Sequence, residues 1–255
     1  MATAWNAWVR SPKPNPRASL RLFCFHYAGG GASAFRGWER GLPPDIELLL
    51  VQLPGRENRA REKAFTHMAP LMDVLTEVLS PLFDQPFVLF GHSLGALISF
   101  ELARQLRRRQ GPVPRHLFVS GYRAPQRPPS PSERTIHHLP EAEFIQELRH
   151  FNGTPEEILQ NAELMALLMP VLRADFSVYE TYVYEPEDPL TCDISAFGGL
   201  QDPITKREDM VDWRSQTRGN FTLRMLPGDH FFLHSTQAQF LQMLSQDLVP
   251  ILHRI

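Results

Sequence analysis

Gly91-His92-Ser93-Leu94-Gly95 lies between a short apolar run, Pro86 to Phe90, and a long amphipathic stretch, Ala96 to Arg109. A strand, a tight turn and a helix in that order are the setting of a G-x-S-x-G nucleophile elbow. The turn forces its serine into a strained backbone conformation, and a bulky neighbour would collide with the strand and helix being joined, hence the two flanking glycines. The serine hydroxyl is lifted clear of the sheet by this arrangement. Ser93 is therefore the expected nucleophile.

The surrounding chain supplies the sheet that such an elbow needs. Leu20 to Tyr27, Ile46 to Leu53, Pro86 to Phe90, His116 to Ser120, Cys192 to Phe197 and Phe221 to Leu226 are apolar and near-continuous, as strands buried on both faces are. Met68 to Phe83 and Ala96 to Arg109 repeat apolar residues every three to four positions and join consecutive strand candidates. Crossover helices of that kind imply a mostly parallel central sheet flanked by helices, an α/β class.

With 255 residues, 43% of them hydrophobic, the chain can fill one large core, and a single domain is expected. A net charge of −2 gives no basic surplus for nucleic acid. Cys24 and Cys192 both sit in apolar runs and are expected as free thiols in a reducing, cytoplasmic compartment. Two cysteines build no metal cluster, and neither a metal nor a cofactor is expected. Met1 to Pro16 contains no apolar stretch of signal-peptide length, and no later run approaches a membrane span.

Arg123 to Leu190, between the fourth and fifth strand candidates, is too long for an ordinary loop. It opens on a proline-rich hinge, Arg127-Pro128-Pro129-Ser130-Pro131. Helices are expected over Glu141 to Phe151, Pro155 to Leu168 and Val171 to Tyr184. Active sites of α/β sheets lie at the carboxyl ends of the strands, where this insertion emerges, so it is read as a helical lid. A packing layer with no gating role is the alternative.

A serine hydroxyl needs a base, and the base needs an acid to hold its tautomer. Gly198-Gly199-Leu200-Gln201-Asp202 follows the fifth strand, and Pro227-Gly228-Asp229-His230-Phe231-Phe232 follows the sixth. Ser, Asp and His in that chain order suit an α/β-hydrolase. His230 is read as general base and then acid, and Asp202 as the carboxylate that orients it. Asp229 competes for that role, but adjacent side chains on an extended loop diverge. His92 is read as a turn residue behind the nucleophile. For the oxyanion, one backbone donor is the Leu94 amide and the second is the Ala28 amide, in the glycine-rich segment His26 to Gly31. As a phosphate cradle this segment lacks the P-loop lysine, and its spacing is read as wrong for a dinucleotide loop.

Phe25 to Gly31 (FHYAGGG), Gln52 to Arg59 (QLPGRENR), Phe90 to Gly95 (FGHSLG), Phe151 to Pro155 (FNGTP), Pro170 to Asp175 (PVLRAD), Gly199 to Asp202 and Leu226 to His230 together are more specific than the elbow. With them the chain resembles the type II thioesterases, the discrete editing hydrolases of polyketide synthases and nonribosomal peptide synthetases, and the related medium-chain fatty-acid thioesterase. The resemblance implies an α/β-hydrolase fold, a lid over the site, and removal of acyl groups from the phosphopantetheine arm of an acyl or peptidyl carrier protein. It places Ser93, Asp202 and His230, and the two oxyanion amides, on the family's motif positions. The chain departs from the family at His26, where proline is common, at Leu94, where methionine is common, and at Asp229, where a second glycine is common. The bare chemistry leaves a carboxylesterase or a fatty-acyl thioesterase open, and so does reuse of the fold as a binding module.

Tyr27, Phe144, Leu148, Phe151, Leu172, Phe176 and Phe231 are candidates to enclose an acyl chain. Arg56, Arg59 and Arg61, with Lys63, form one basic cluster that could meet an acidic carrier protein. Arg104, Arg107, Arg108 and Arg109 form another, for which solvation of a helix C-terminus is the plainer account. A monomer is expected.

Overall fold

The computed structural model describes residues 7–129 and 134–255. Ser130 and Pro131 of the proline-rich hinge, and the first six residues of the N-terminal segment, lie outside them. Seven strands form one sheet in the order β1-β3-β2-β4-β5-β6-β7. They are β1 (Val9–Arg10), β2 (Leu20–Phe25), β3 (Ile46–Val51), β4 (Phe87–His92), β5 (His116–Ser120), β6 (Asp193–Gly199) and β7 (Phe221–Leu226). All neighbours pair in parallel except β1, the edge strand, which runs antiparallel along β3. Gly91 pairs with Phe25 on one side and Val119 on the other, which puts the elbow at the carboxyl end of the central strands.

Alternation on β2 shows how both faces are buried. Phe23 and Phe25 enter a cluster with Leu71 and Leu75 of α1 (Met68–Leu79) and Leu97 and Phe100 of α2 (Leu94–Arg108). Leu20, Leu22 and Cys24 enter another, with Trp38 and with Phe240, Leu244 and Leu248 of the C-terminal helix Gln237–Leu252. Burying one such side chain contributes about 1.5–3 kcal/mol, so these two layers hold the sheet. Both cysteines are free and buried.

Several boundaries differ from the sequence expectations. The first crossover helix stops at Leu79 and tightens into a 3-10 turn at Ser80–Leu82, because Pro81 cannot extend the α-helical ladder. In the insertion, α3 (Glu141–Phe151) is as expected. The next expected helix shrinks to α4 (Glu156–Leu159), and α5 (Ala162–Glu180) runs straight through Pro170. The break falls at Asn161 instead, whose side chain accepts from the amides of Glu163 and Leu164 and so caps α5. Short helices α6 (Arg207–Val211) and α7 (Phe232–Ser235) follow β6 and β7, and the C-terminal helix is α8. The insertion has a core of its own, in which Phe144, Leu148 and Met165 pack with Leu172 and Phe176.

Candidate active site

Ser93 joins β4 to α2 with φ 53° and ψ −119°, a left-handed conformation that a non-glycine residue adopts only under constraint. The constraints are visible. Its amide donates to Ser120 O at 2.7 Å, and its carbonyl accepts from Ala96 N at 2.9 Å. A Cβ on Gly91 would lie 1.9 Å from Gly95 O, and one on Gly95 would lie 2.1 Å from Phe25 O. Strand and helix thus approach too closely at this turn for any side chain other than hydrogen.

His230 follows β7, and its Nδ1 donates to Asp202 Oδ2 at 2.8 Å. The other carboxylate oxygen of Asp202 accepts from the amides of Ile204 and Thr205 at 2.8 and 3.0 Å. Three donors therefore fix the carboxylate, and both residues are buried. Asp229 turns elsewhere: it accepts from Phe231 N at 2.9 Å and from Asn152 Nδ2, in the insertion, at 3.0 Å.

Ser93 and His230 line one cavity of about 320 Å³ together with Ala28 and Leu94. Tyr27, Leu148, Phe151, Leu172, Phe176 and Phe231 line the same cavity. Phe144 does not: it is fully buried inside the insertion, edge-on to Phe176, with the Arg173 guanidinium 4.5 Å above its ring. Leu148, Phe151, Leu172 and Phe176 are the side chains by which the insertion lines the cavity. Pro128 and Pro129 of the hinge also face the cavity.

His92 lies fully buried behind the serine, with its Nδ1 and Ser120 Oγ sharing a hydrogen bond of 2.9 Å and its ring centre 5.1 Å from that of His230. Burial, with the neighbouring His230 and His234 next in importance, holds its pKa well below 6.5. It is a neutral wall of the site. Gly121 makes that packing possible, since a Cβ there would sit 2.6 Å from His92 Cε1 and 3.3 Å from His230 Cε1. Sequence reasoning missed Gly121, although a glycine directly after a strand that borders the elbow strand is the available signal.

The basic clusters are largely structural. Arg56 and Arg59, read from sequence as docking residues, are buried, because each has found a fixed partner. Arg56 grips Asp175 of α5 with two bonds of 2.7 and 2.8 Å. Arg59 bonds Glu62 and Gln52 O and lies 3.9 Å over the Trp8 ring. Arg61 is exposed. At the end of α2, Arg104, Arg107 and Arg108 all pair with Glu187, and Arg109 pairs with Asp73.

The thioesterase-domain family matches residues 20–248. The chain belongs to the thioesterase family. Among curated relatives of the thioesterase, linear gramicidin dehydrogenase LgrE of Brevibacillus parabrevis is 48% identical over 244 residues, covering 94% of this chain and 92% of LgrE. RedJ, described as the thioesterase of the prodiginine pathway in Streptomyces coelicolor, superposes with a TM-score of 0.84 at 41% identity, over 90% of each chain. BorB, described as the type II thioesterase of the borrelidin biosynthetic cluster, gives a TM-score of 0.84 at 35% identity over 94% of this chain and 97% of BorB. The fold is that of these α/β-hydrolase thioesterases, and the chain stands with the type II members of the family. The word dehydrogenase in LgrE's name finds no counterpart in the loop of this chain. Gly29, Gly31 and Ala34 do fit the looser dinucleotide spacing, contrary to the sequence reading, but they open a four-residue 3-10 turn, Ala32–Phe35, and not the helix that such a loop requires.

Proposed function

We propose that the thioesterase hydrolyses acyl, aminoacyl or peptidyl thioesters held on the phosphopantetheine arm of carrier proteins, clearing stalled groups in nonribosomal peptide or polyketide assembly. The observation that carries this reading is the His230–Asp202 hydrogen bond at 2.8 Å beside a cavity that His230 shares with Ser93. Ser93 Oγ attacks the thioester carbonyl carbon while its proton passes to His230 Nε2. The oxyanion accepts from the Ala28 and Leu94 amides. Leu94 is suited to this because it opens α2, and first-turn amides have no partner within their helix. The C–S bond then breaks, and the pantetheine sulfur takes the proton from His230 and leaves as the thiol, which returns the imidazole to its neutral, basic form. A thiol of pKa about 8.5 needs little help of this kind, which suits a thioester better than an amide. Water next attacks the acyl-serine, gives its proton to His230, and the free acid departs as Ser93 regains its proton. Asp202 stays ionised throughout and keeps the imidazole aimed.

The insertion serves as the lid of the site, and its apolar side chains receive the acyl group and exclude water. A cytoplasmic, monomeric enzyme is the fitting form, with free thiols at Cys24 and Cys192 in support. Among the described residues no helix is long and apolar enough to cross a membrane. Arg61 remains the docking candidate of its cluster: Arg61→Glu lowers kcat/KM on an acidic carrier protein at low salt and leaves an acyl-pantetheine thioester untouched.

The deciding test is hydrolysis of acetyl and longer acyl groups from a phosphopantetheinylated carrier protein, with Ser93→Ala as control and a matched acyl-pantetheine thioester alongside. Ser93-dependent release that is faster from the carrier is the expected result. Equal turnover of the free thioester would replace the editing role with a general acyl hydrolase.

A further inference from the structure

The loop that carries the Ala28 amide is fixed one peptide plane at a time. In the plane that bears the Ala28 N–H, the Tyr27 carbonyl accepts from Gly30 N at 3.0 Å and from His26 Nδ1 at 2.9 Å. In the next plane, Gly29 N donates to Asp175 Oδ2 at 2.7 Å. Beyond it, Gly30 O accepts from Arg56 Nη1 at 3.4 Å. Arg56 and Asp175 are themselves joined by two charge-assisted bonds, with side chains 5% and 3% exposed. Gly29 has φ 75°, and a Cβ there would lie 2.4 Å from Leu172 Cδ2, one turn of α5 before Asp175. The QLPGR segment that supplies Arg56 also supplies Gln52, whose Oε1 accepts from Ala32 N at 2.8 Å. Both motifs that lack reacting groups of their own, QLPGRENR and PVLRAD, thus converge on this loop.

We infer that Arg56 and Asp175 are positioning residues for the hydrolysis: they hold the Ala28 N–H toward the developing oxyanion, and because Asp175 belongs to α5, the oxyanion site is complete only while the lid helix is docked. The inference rests on the assignment of the Ala28 amide as an oxyanion donor. Stability does not account for the pair by itself, since a buried ion pair is often matched by well-packed apolar side chains.

Two substitutions test it in the full chain. Asp175→Asn keeps an oxygen for Gly29 N but removes the charge facing Arg56. Arg56→Lys keeps a charge but replaces the two-point fork with a single ammonium, and is the variant to rely on should Asp175→Asn not fold. Rates on an acyl-pantetheine thioester are divided by the concentration of serine titrated to completion with a fluorophosphonate, so that misfolded protein does not count. The expected result is a loss of about ten- to a hundredfold in kcat per titrated site, with KM changed by less than about threefold. Affinity for a trifluoromethyl ketone, to which Ser93 adds to give a tetrahedral oxyanion, falls in proportion to kcat/KM across wild type and both variants. Unchanged kcat per site in Arg56→Lys, or a ketone affinity that stays constant while kcat falls, overturns the inference and leaves a pair that only supports the fold. Failure of the wild-type protein to be titrated would sink the serine mechanism itself, and this inference with it.

Discussion

At its α5 end the insertion meets the loops of the sheet through Arg56 and Asp175, both nearly out of solvent; at the turn after α3 it meets them through Asn152 and Asp229, where water has access. The first contact is a two-bond ion pair with a backbone amide as third member. The second is a single amide-to-carboxylate bond, seconded by Gly153, whose missing side chain lets the Phe231 ring approach. A water molecule can replace the second contact at little cost, whereas opening the first exposes or strands two charges. The insertion is therefore anchored firmly at Asp175 and only latched at Asn152.

Asp175→Leu should produce the largest change. It strands the Arg56 charge and should cost about 3–5 kcal/mol in urea unfolding, most of it recovered in the double variant Arg56→Met/Asp175→Leu. If the single variant costs no more than Asn152→Ala does, the contrast between the two ends is void.

Acid comes next and acts on the sheet side. Burial lowers the pKa of His26, beside the glycine-rich loop, and of His116, on β5, from 6.5 to about 4. As pH falls, the unfolded chain therefore takes up these protons first. Their contribution is complete above pH 6.5 and declines toward pH 4, which removes about 2 kcal/mol per histidine by pH 5. Unfolding free energies measured at pH 7.5 and pH 5 should show this loss, and His116→Asn should abolish about half of it. A flat profile would show that the two imidazoles become charged within the fold at no cost.

Asn152→Ala should have the smallest effect, about 0.5–1 kcal/mol or less on stability. Its signature lies in hydrogen exchange, which should quicken over residues 141–159 and leave the turn of α5 around Asp175 unchanged. Equal acceleration at both places would mean that the insertion opens as one piece. At Asp229, Asp229→Gly removes the same latch, and the on-rate for a long-chain acyl-pantetheine should rise severalfold.

The sheet and the elbow were legible because their signals are local: a run of apolar residues, two glycines and a serine describe one turn of chain. Ser93, Asp202 and His230 stand out in the sequence for a related reason, each lying just past a strand end. Neither β1 nor α8 is among the elements expected from the sequence. Two residues carry no period, which hides β1, whereas Phe240, Leu241, Leu244, Leu248 and Ile251 do have helical spacing, and α8 was there to be read. The arginines misled in a different way. Sequence displays the charge of Arg56 but not its partner 119 residues away, so a buried structural cation looked like a surface for docking. Proline misled at α5, where its punctuation was overridden by the burial of Val171, Leu172 and Phe176 on the far side of it.

That proline has a mechanical consequence. Pro170 lacks the N–H that would bond Ala166 O, so α5 bends there at less cost than elsewhere along its length. It sits between Asp175, held by Arg56, and the capped start of the helix at Ala162, eight residues off, or about 12 Å of lever arm. A bend of about 20° at this joint carries the helix start through about 4 Å, while the fulcrum, and with it the Gly29 amide, stays where it is.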